Sequence, residues 1–302
     1  MRVSTATPTA WGGCLPVSKA QKRGLSCGLS SSQQHTSLER LEWDQSIMPR
    51  KLTEELLEAA ASERNRRPKG ATTQQFLAKV THLHLNEKKL SSIAIPSGCA
   101  LPALKVLYCY DNALESLAGI GSLTQLAQLV AYNNQISTMG DIQGLLRLKK
   151  LYLSNNCLTS LQPLAPLVGL EELHASSQRL PPGEALDLAP EALAGMSGLR
   201  VLSLANNGLD STFELADCHA LQTVDLSKNA LETMDAVQPL LKAAPLLELD
   251  LRGNGVDERY QLDNIIVACP TISILNGREL MSGERRFLEE LSRRGRARLA
   301  TN

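Results

Sequence analysis

Residues 148–161 read LKKLYLSNNCLTSL, and the spacing of their leucines decides the fold. Leucine stands at positions 1, 4, 6 and 11 of the stretch and asparagine at position 9. The same pattern, L-x-x-L-x-L-x-x-N-x-L, begins at Val80, Leu104, Leu126, Leu170, Leu199, Leu221 and Leu246, with a degenerate ninth start at Ile272. Successive starts lie 24, 22, 22, 22, 29, 22, 25 and 26 residues apart. Such a period marks a solenoid, in which each unit covers the apolar residues of its neighbours. The expected fold class is an α/β leucine-rich-repeat horseshoe with a parallel sheet on its concave side, a helical N-terminal cap and a C-terminal cap.

Each position of the unit has a physical reason. Positions 1, 4, 6 and 11 are apolar because every coil turns them into a shared core. Position 9 is asparagine in six of the eight units (Asn112, Asn134, Asn156, Asn207, Asn229 and Asn254). There the chain leaves a short strand, and an amide side chain can both donate to and accept from unpaired backbone groups. Lys88, in an edge unit, and Gln178 are the exceptions. Gln178 lies within the irregular stretch EELHASSQRLPPGEALDL (171–188), after which the next unit arrives seven residues late. Pro181 and Pro182 withhold two amide donors and Gly183 permits a bend. The expectation is an outward loop, with an added helical segment over 184–198 made acidic by Glu184, Asp187 and Glu191.

An array needs lids. TEELLEAAASERNRRPKG (53–70) has Thr53 as a helix cap, acids in the first turn and basic residues near the end, so residues 48–79 read as a helical N-terminal cap. The eight repeats and the degenerate ninth fill 80–276. Residues 277–302 follow as an Asn-Gly turn, an amphipathic cap helix with Leu280, Phe287, Leu288 and Leu291 expected against the core, and a basic tail. Residues 1–47 hold no acid before Glu39 and are rich in Ser and Thr, which reads as a disordered extension. An organelle transit peptide and a second start at Met48 are the alternatives for that segment.

Leucine builds this core almost alone: 43% of the chain is apolar but only 3% aromatic. Net charge is zero yet uneven, +5 over residues 1–79, −8 over 80–281 and +3 over 282–302. An acidic centre speaks against nucleic acid as a partner. Seven cysteines form no CxxC pair, as expected for reduced thiols in an intracellular protein. No apolar run has a membrane span's length of about 20 residues, so no membrane partner is expected.

Side chains alternate along a strand, so with positions 4 and 6 inward, positions 3, 5, 7 and 8 are expected on the concave side. Position 5 reads His84, Tyr108, Val130, Tyr152, His174, Ser203, Asp225 and Asp250, and position 7 adds Tyr110 and Tyr132. Four of the five tyrosines share one face. Tyrosine anchors many protein interfaces, and the expected partner-binding residues are His84, Tyr108, Tyr110, Tyr132, Tyr152, His174, Asp225 and Asp250. The alternative is that the tyrosines only stack and stiffen the sheet. His82 and His84 lack a third ligand, since His174 is four units or about 20 Å away, so no metal is expected. There is no glycine-rich phosphate loop, G-x-S-x-G or H-E-x-x-H motif. A non-enzyme without cofactor follows.

The irregular unit LHASSQRLPPGEAL (173–186), together with MPRKLTEELLEAA (48–60), YCYDNALESL (108–117) and LNGRELMSGERRFL (275–288), resembles the protein phosphatase 1 regulatory subunit 42 family. The likeness covers 48–291. More distantly the chain is similar to the nuclear leucine-rich-repeat regulator of the same phosphatase. The resemblance implies a non-catalytic regulator that binds the protein phosphatase 1 catalytic subunit through its concave face, in the cytoplasm at centrosomes, basal bodies or cilia. It departs from the pattern at Asn276-Gly277, where such caps carry Asp-Gly. An R-V-x-F docking peptide is absent, Arg40-Leu41-Glu42-Trp43 being a degenerate form. Two other readings stay open: an axonemal or centrosomal scaffold for tubulin-associated proteins, and a relative of the spliceosomal A-prime protein.

Overall fold

A computed structural model describes residues 50–257 and 259–300, with the backbone alone at 259–261 and 295–300. The chain divides into two compact units, 1–43 and 44–302, and the described residues belong to the second. The expected disorder of residues 1–47 therefore lies outside them.

The elements are short. The front holds β1 (Arg50–Lys51), α1 (Glu54–Arg64) and α2 (Thr73–Leu77). The strands β2 (His82–His84), β3 (Leu90–Ser92), β4 (Val106–Tyr108), β5 (Gln128–Val130), β6 (Lys150–Tyr152) and β7 (Glu172–His174) follow. After them come α3 (Pro190–Ala194), β8 (Val201–Ser203), β9 (Thr223–Asp225), α4 (Met234–Ala243) and β10 (Glu248–Asp250). α5 (Arg259–Ala268), β11 (Ile274–Leu275), β12 (Arg278–Glu279) and α6 (Ser282–Ala300) complete the chain. One ten-stranded sheet runs β12-β11-β10-β9-β8-β7-β6-β5-β4-β2, parallel except for β12. The leucines at positions 4 and 6, such as Leu83, Leu85, Leu151, Leu153, Leu202 and Leu204, are fully buried in one continuous core.

The position-9 amides form a spine through this core. Asn156 Nδ2 donates to Ala131 O of the coil before (3.0 Å) and to Leu153 O of its own (2.9 Å), while its Oδ1 accepts from Ile136 N (3.0 Å). Asn134 Nδ2 meets Ala131 O as well, so the position-6 carbonyls from Cys109 to Leu226 are each shared by two amides. Gln178 is no defect in the spine. Its Nε2 reaches Leu153 O (2.9 Å) and Ala175 O (3.1 Å) and its Oε1 accepts from Leu158 N (3.0 Å), one methylene longer but with the same three partners in kind. Lys88 cannot do this. Its ammonium leaves the spine for Glu63 of α1 (2.6 Å), and Asn112 takes Leu85 O.

The irregular coil is less of a bulge than the prolines suggested. Asp187 pairs with Ser160 of the preceding coil. Ser160 is the thirteenth residue of its unit and Asp187 the eighteenth, so five of the seven extra residues come before it. They make a tight turn in which Glu184 N bonds Pro181 O (3.1 Å) and Gly183 has φ +83°. Leu186 and Leu188 return to the core. Asp187 accepts from Ser160 Oγ (2.6 Å) and Ala189 N (3.0 Å), which makes it a staple between coils instead of a bulge acid. The added helix is only α3, five residues long.

The caps differ in detail from expectation. Thr53 does cap α1, its side chain accepting from Leu56 N (3.3 Å). A second helix, α2, starts on a capping box in which Thr72 Oγ1 and Gln75 Oε1 exchange bonds with each other's backbone amides (3.2 and 3.1 Å). Asn276 and Gly277, both at positive φ, turn β11 back onto β12, closing the parallel edge. On α6, Leu280 and Leu288 pack against the core as expected, but Phe287 (61%) and Leu291 (48%) are exposed. Arg285 sets the helix roll: it donates to Ile266 O (2.9 Å), Cys269 O (3.2 Å) and Ile272 O, capping α5 with a cation. Leu288, three residues on, then faces inward, and the ridge Phe287–Leu291 turns out.

Candidate protein-interaction surface

From β2 through β4–β10 the strands keep strict register, so equal positions of successive coils stand side by side. Position 5 lies between two buried apolar residues and points away from the core. Neighbouring strands are about 4.8 Å apart, so flat rings at equal positions and like rotamers must stack at nearly that distance. Centroids of His84 and Tyr108 are 4.4 Å apart at 12°, those of Tyr152 and His174 4.6 Å at 9°. At position 7, Tyr110 and Tyr132 stack at 4.7 Å and 10°.

Val130 fills the gap between the two position-5 pairs and is only 7% exposed, flanked in register by Tyr108 and Tyr152. The row His84–Tyr108–Val130–Tyr152–His174 is thus a continuous apolar strip, half-buried among its own members. Stacking and exposure coexist: the rings brace one another while presenting their edges and outer faces.

Electrostatics vary along the strip. Tyr152 Oη donates to Glu172 Oε2 (3.0 Å), and Glu172 is paired with Lys150 (2.7 Å). Burial, then this bond, pushes the Tyr152 phenol up to about 12. Burial pushes the His174 imidazole below its ordinary value, and burial with the nearby Arg64 charge lowers His84 too. Beyond His174 the face is hydroxyl and acid. Ser176 Oγ and Ser203 Oγ are 2.7 Å apart, Ser203 Oγ donates to Asp225 Oδ2 (3.2 Å), and Ser227 donates through N (3.0 Å) and Oγ (2.8 Å) to Asp225 Oδ1. Asp250 sits directly opposite Asp225. Its repulsion is relieved by Arg252, whose Nε lies 3.0 Å from both carboxylate oxygens. Asp250 is therefore largely satisfied within its own coil.

Position 8 does not join this face. All eight position-8 residues (Glu87, Asp111, Asn133, Asn155, Ser177, Asn206, Lys228 and Gly253) adopt positive φ, between 53° and 74°, where the strand breaks. Three of their side chains form a second ladder at the rim, Asn155 to Asn133 to Asp111, each bond 2.8 Å. Arg179 lies on the same rim, donating to Asn134 O and to Asn155 O (3.2 Å) across two coils. The doubled asparagines at 133–134 and 155–156 were the signal for this ladder. Among the described residues no cluster of three metal-ligating side chains occurs, and His82 and His84 serve instead as a neighbour of Thr81 Oγ1 (3.0 Å) and a stacking ring. No described helix is long and apolar enough to cross a membrane.

Eight registered coils and this open face define a leucine-rich-repeat solenoid of the protein-interaction kind. Comparison with known proteins agrees at that level. Residues 147–167 match the Leucine Rich Repeat family model. Leucine-rich repeat-containing protein ODA7 of Chlamydomonas reinhardtii is 34% identical over 83 residues, which are 27% of this chain and 19% of that protein. The match thus spans about a fifth of the relative's length. Among solved structures, internalin C2 of Listeria monocytogenes superposes with TM-score 0.58 at 24% identity, over 72% of this chain and 91% of that one. A leucine-rich-repeat protein of Leptospira interrogans gives 0.55 at 25% identity, over 67% and 50%.

Proposed function

We propose that the chain is a non-catalytic adaptor whose concave aromatic strip grips a partner protein, with the protein phosphatase 1 catalytic subunit as first candidate. The observation that carries the reading is the strip itself. Three stacked ring pairs lie on the one side of the sheet that the core does not use, and a fold needing only Leu at its buried positions has no packing demand for them there. Edges of tyrosine offer a hydroxyl and its face offers apolar area at little entropic cost. The phosphatase is named by the resemblance of the Gln178-Arg179 coil and the closing cap. A scaffold at centrosome or axoneme, holding tubulin-associated proteins on the same face, is the second reading, and the missing R-V-x-F peptide favours it.

Binding of purified phosphatase catalytic subunit to the wild-type chain and to Tyr108→Ala/Tyr152→Ala, with melting followed in parallel, tests both parts. Expected is measurable capture by the wild type and a loss of tenfold or more in the double variant, about 1.4 kcal/mol or more, in a protein that still melts cooperatively, a few degrees lower for the two lost ring stacks. No binding by the wild type removes the phosphatase, and equal binding by both proteins removes the strip.

A further inference from the structure

Beside β2, the end of α1 and the connection to α2 enclose a groove of about 340 Å³ lined by Arg64, Asn65, Arg66, Phe76 and Lys79. Phe76 and Val80 are buried and close its floor. Arg64, Arg66 and Lys79 are exposed and, among the described residues, enter no ion pair. Two acids of α1 are engaged elsewhere, Glu58 with Arg67 and Glu63 with Lys88. Val80 of the groove floor lies two residues before β2, so the basic groove borders the strand that carries His84, the first ring of the aromatic strip.

We propose that this groove is a subsite for a short acidic segment of the protein bound on the strip, a proposal that rests on the protein-binding reading of that face. Guanidinium groups recognise carboxylate or phosphate oxygens in pairs, and three cations that form no ion pair among the described residues line one groove, with Glu63, the nearest acid in sequence, held by Lys88. Length decides the class of partner. Residues 80–281 carry a net −8, and Asp225, Glu248 and Asp250 lie on the sheet beyond the strip. A nucleic acid long enough to leave the groove would be repelled along the rest of the face, whereas a peptide with a few acids in an otherwise uncharged or basic stretch would not. Such a segment would lie with its acidic end at the N-terminal cap and any basic end toward β9 and β10.

Fluorescence anisotropy on the full chain at low salt tests this with labelled probes: a Glu-rich hexapeptide, the same peptide carrying one phosphoserine, its Gln and Lys counterparts, and a single-stranded oligonucleotide. Expected is binding of the two acidic peptides alone, weakening as salt is raised. Arg64→Ala/Arg66→Ala/Lys79→Ala should lower their affinity about tenfold, as for three exposed ion pairs, with unchanged circular dichroism. Arg66→Gln, on an exposed connection, should give a smaller loss in the same direction. A short probe does not need the strip, so Tyr108→Ala/Tyr152→Ala should bind it like wild type; the groove and the strip can then fail separately. Acidic peptides that do not bind, that bind the triple variant equally well, or that bind more weakly than the oligonucleotide would overturn the proposal.

Discussion

At the scale of single residues, the amide at position 9 shows how one side chain orders a solenoid. Each coil leaves a carbonyl at position 6 and an amide at position 11 facing the core edge, and an Asn or Gln there answers both its own coil and its neighbour. Because every position-6 carbonyl between Cys109 and Leu226 has two amide donors, losing one leaves it with the other. The amide N–H of position 11 has no such reserve. Asn156→Ala should therefore cost about 2–3 kcal/mol, chiefly for the orphaned Ile136 N–H and the small void, read as a lower denaturant midpoint at unchanged slope. A change under ~0.5 kcal/mol would mean that water replaces the amide. These asparagines were legible because they recur at fixed spacing. Position 8 was not, because Glu87, Ser177 and Lys228 are poor candidates for positive φ and hide what Asn133, Asn155 and Gly253 suggest.

At the scale of elements, the connections carry the individuality of the coils. α4 contains Pro239, which removes one helical hydrogen bond. Thr212 of the preceding coil, fully buried, bonds the helix one residue along from that gap: its Oγ1 donates to Ala236 O (2.9 Å) and accepts from Leu240 N (3.3 Å), and its backbone N also reaches Ala236 O (2.8 Å). Thr212→Val keeps the shape but removes the hydroxyl that joins Ala236 O and Leu240 N, so a loss of about 1 kcal/mol is expected. Faster amide exchange at Leu240 should accompany it; protection equal to wild type would show the contact to be idle. Nothing in the sequence pairs Thr212 with α4, because the partner is one coil away and the motif is a single hydroxyl. The Lys149-Lys150 and Glu171-Glu172 pairs, by contrast, stand one 22-residue unit apart and could have been read as ion pairs bridging β6 and β7. The helical face of α6 was misjudged for a similar reason: apolar spacing alone gives two possible rolls, and Arg285, a polar residue, chooses between them.

At the scale of the whole solenoid, register turns a repeated sequence into a surface. Equal positions of successive coils become neighbours, so a row of rings 22 or 24 residues apart becomes a stacked strip without any long-range code. For this reason both the horseshoe and the face were readable from periodicity. The geometry within the face was less so: Val130 as filler, the symmetric His-Tyr and Tyr-His pairs at its ends, and the neutralisation of Asp250 by Arg252 depend on rotamers and on distances of a few ångströms. Charge is graded along the same surface, from the basic groove at Arg64 through neutral rings to Asp225, which gives an otherwise uniform spring a direction.

Site-specific photocrosslinking tests most directly whether the inner surface of the solenoid is where a partner sits. A benzophenone side chain at position 108 is compared with one at position 213, where Phe213 is 71% exposed on the turn between β8 and β9. The account predicts a covalent partner band from position 108 and none from position 213. Crosslinks confined to position 213 would contradict it.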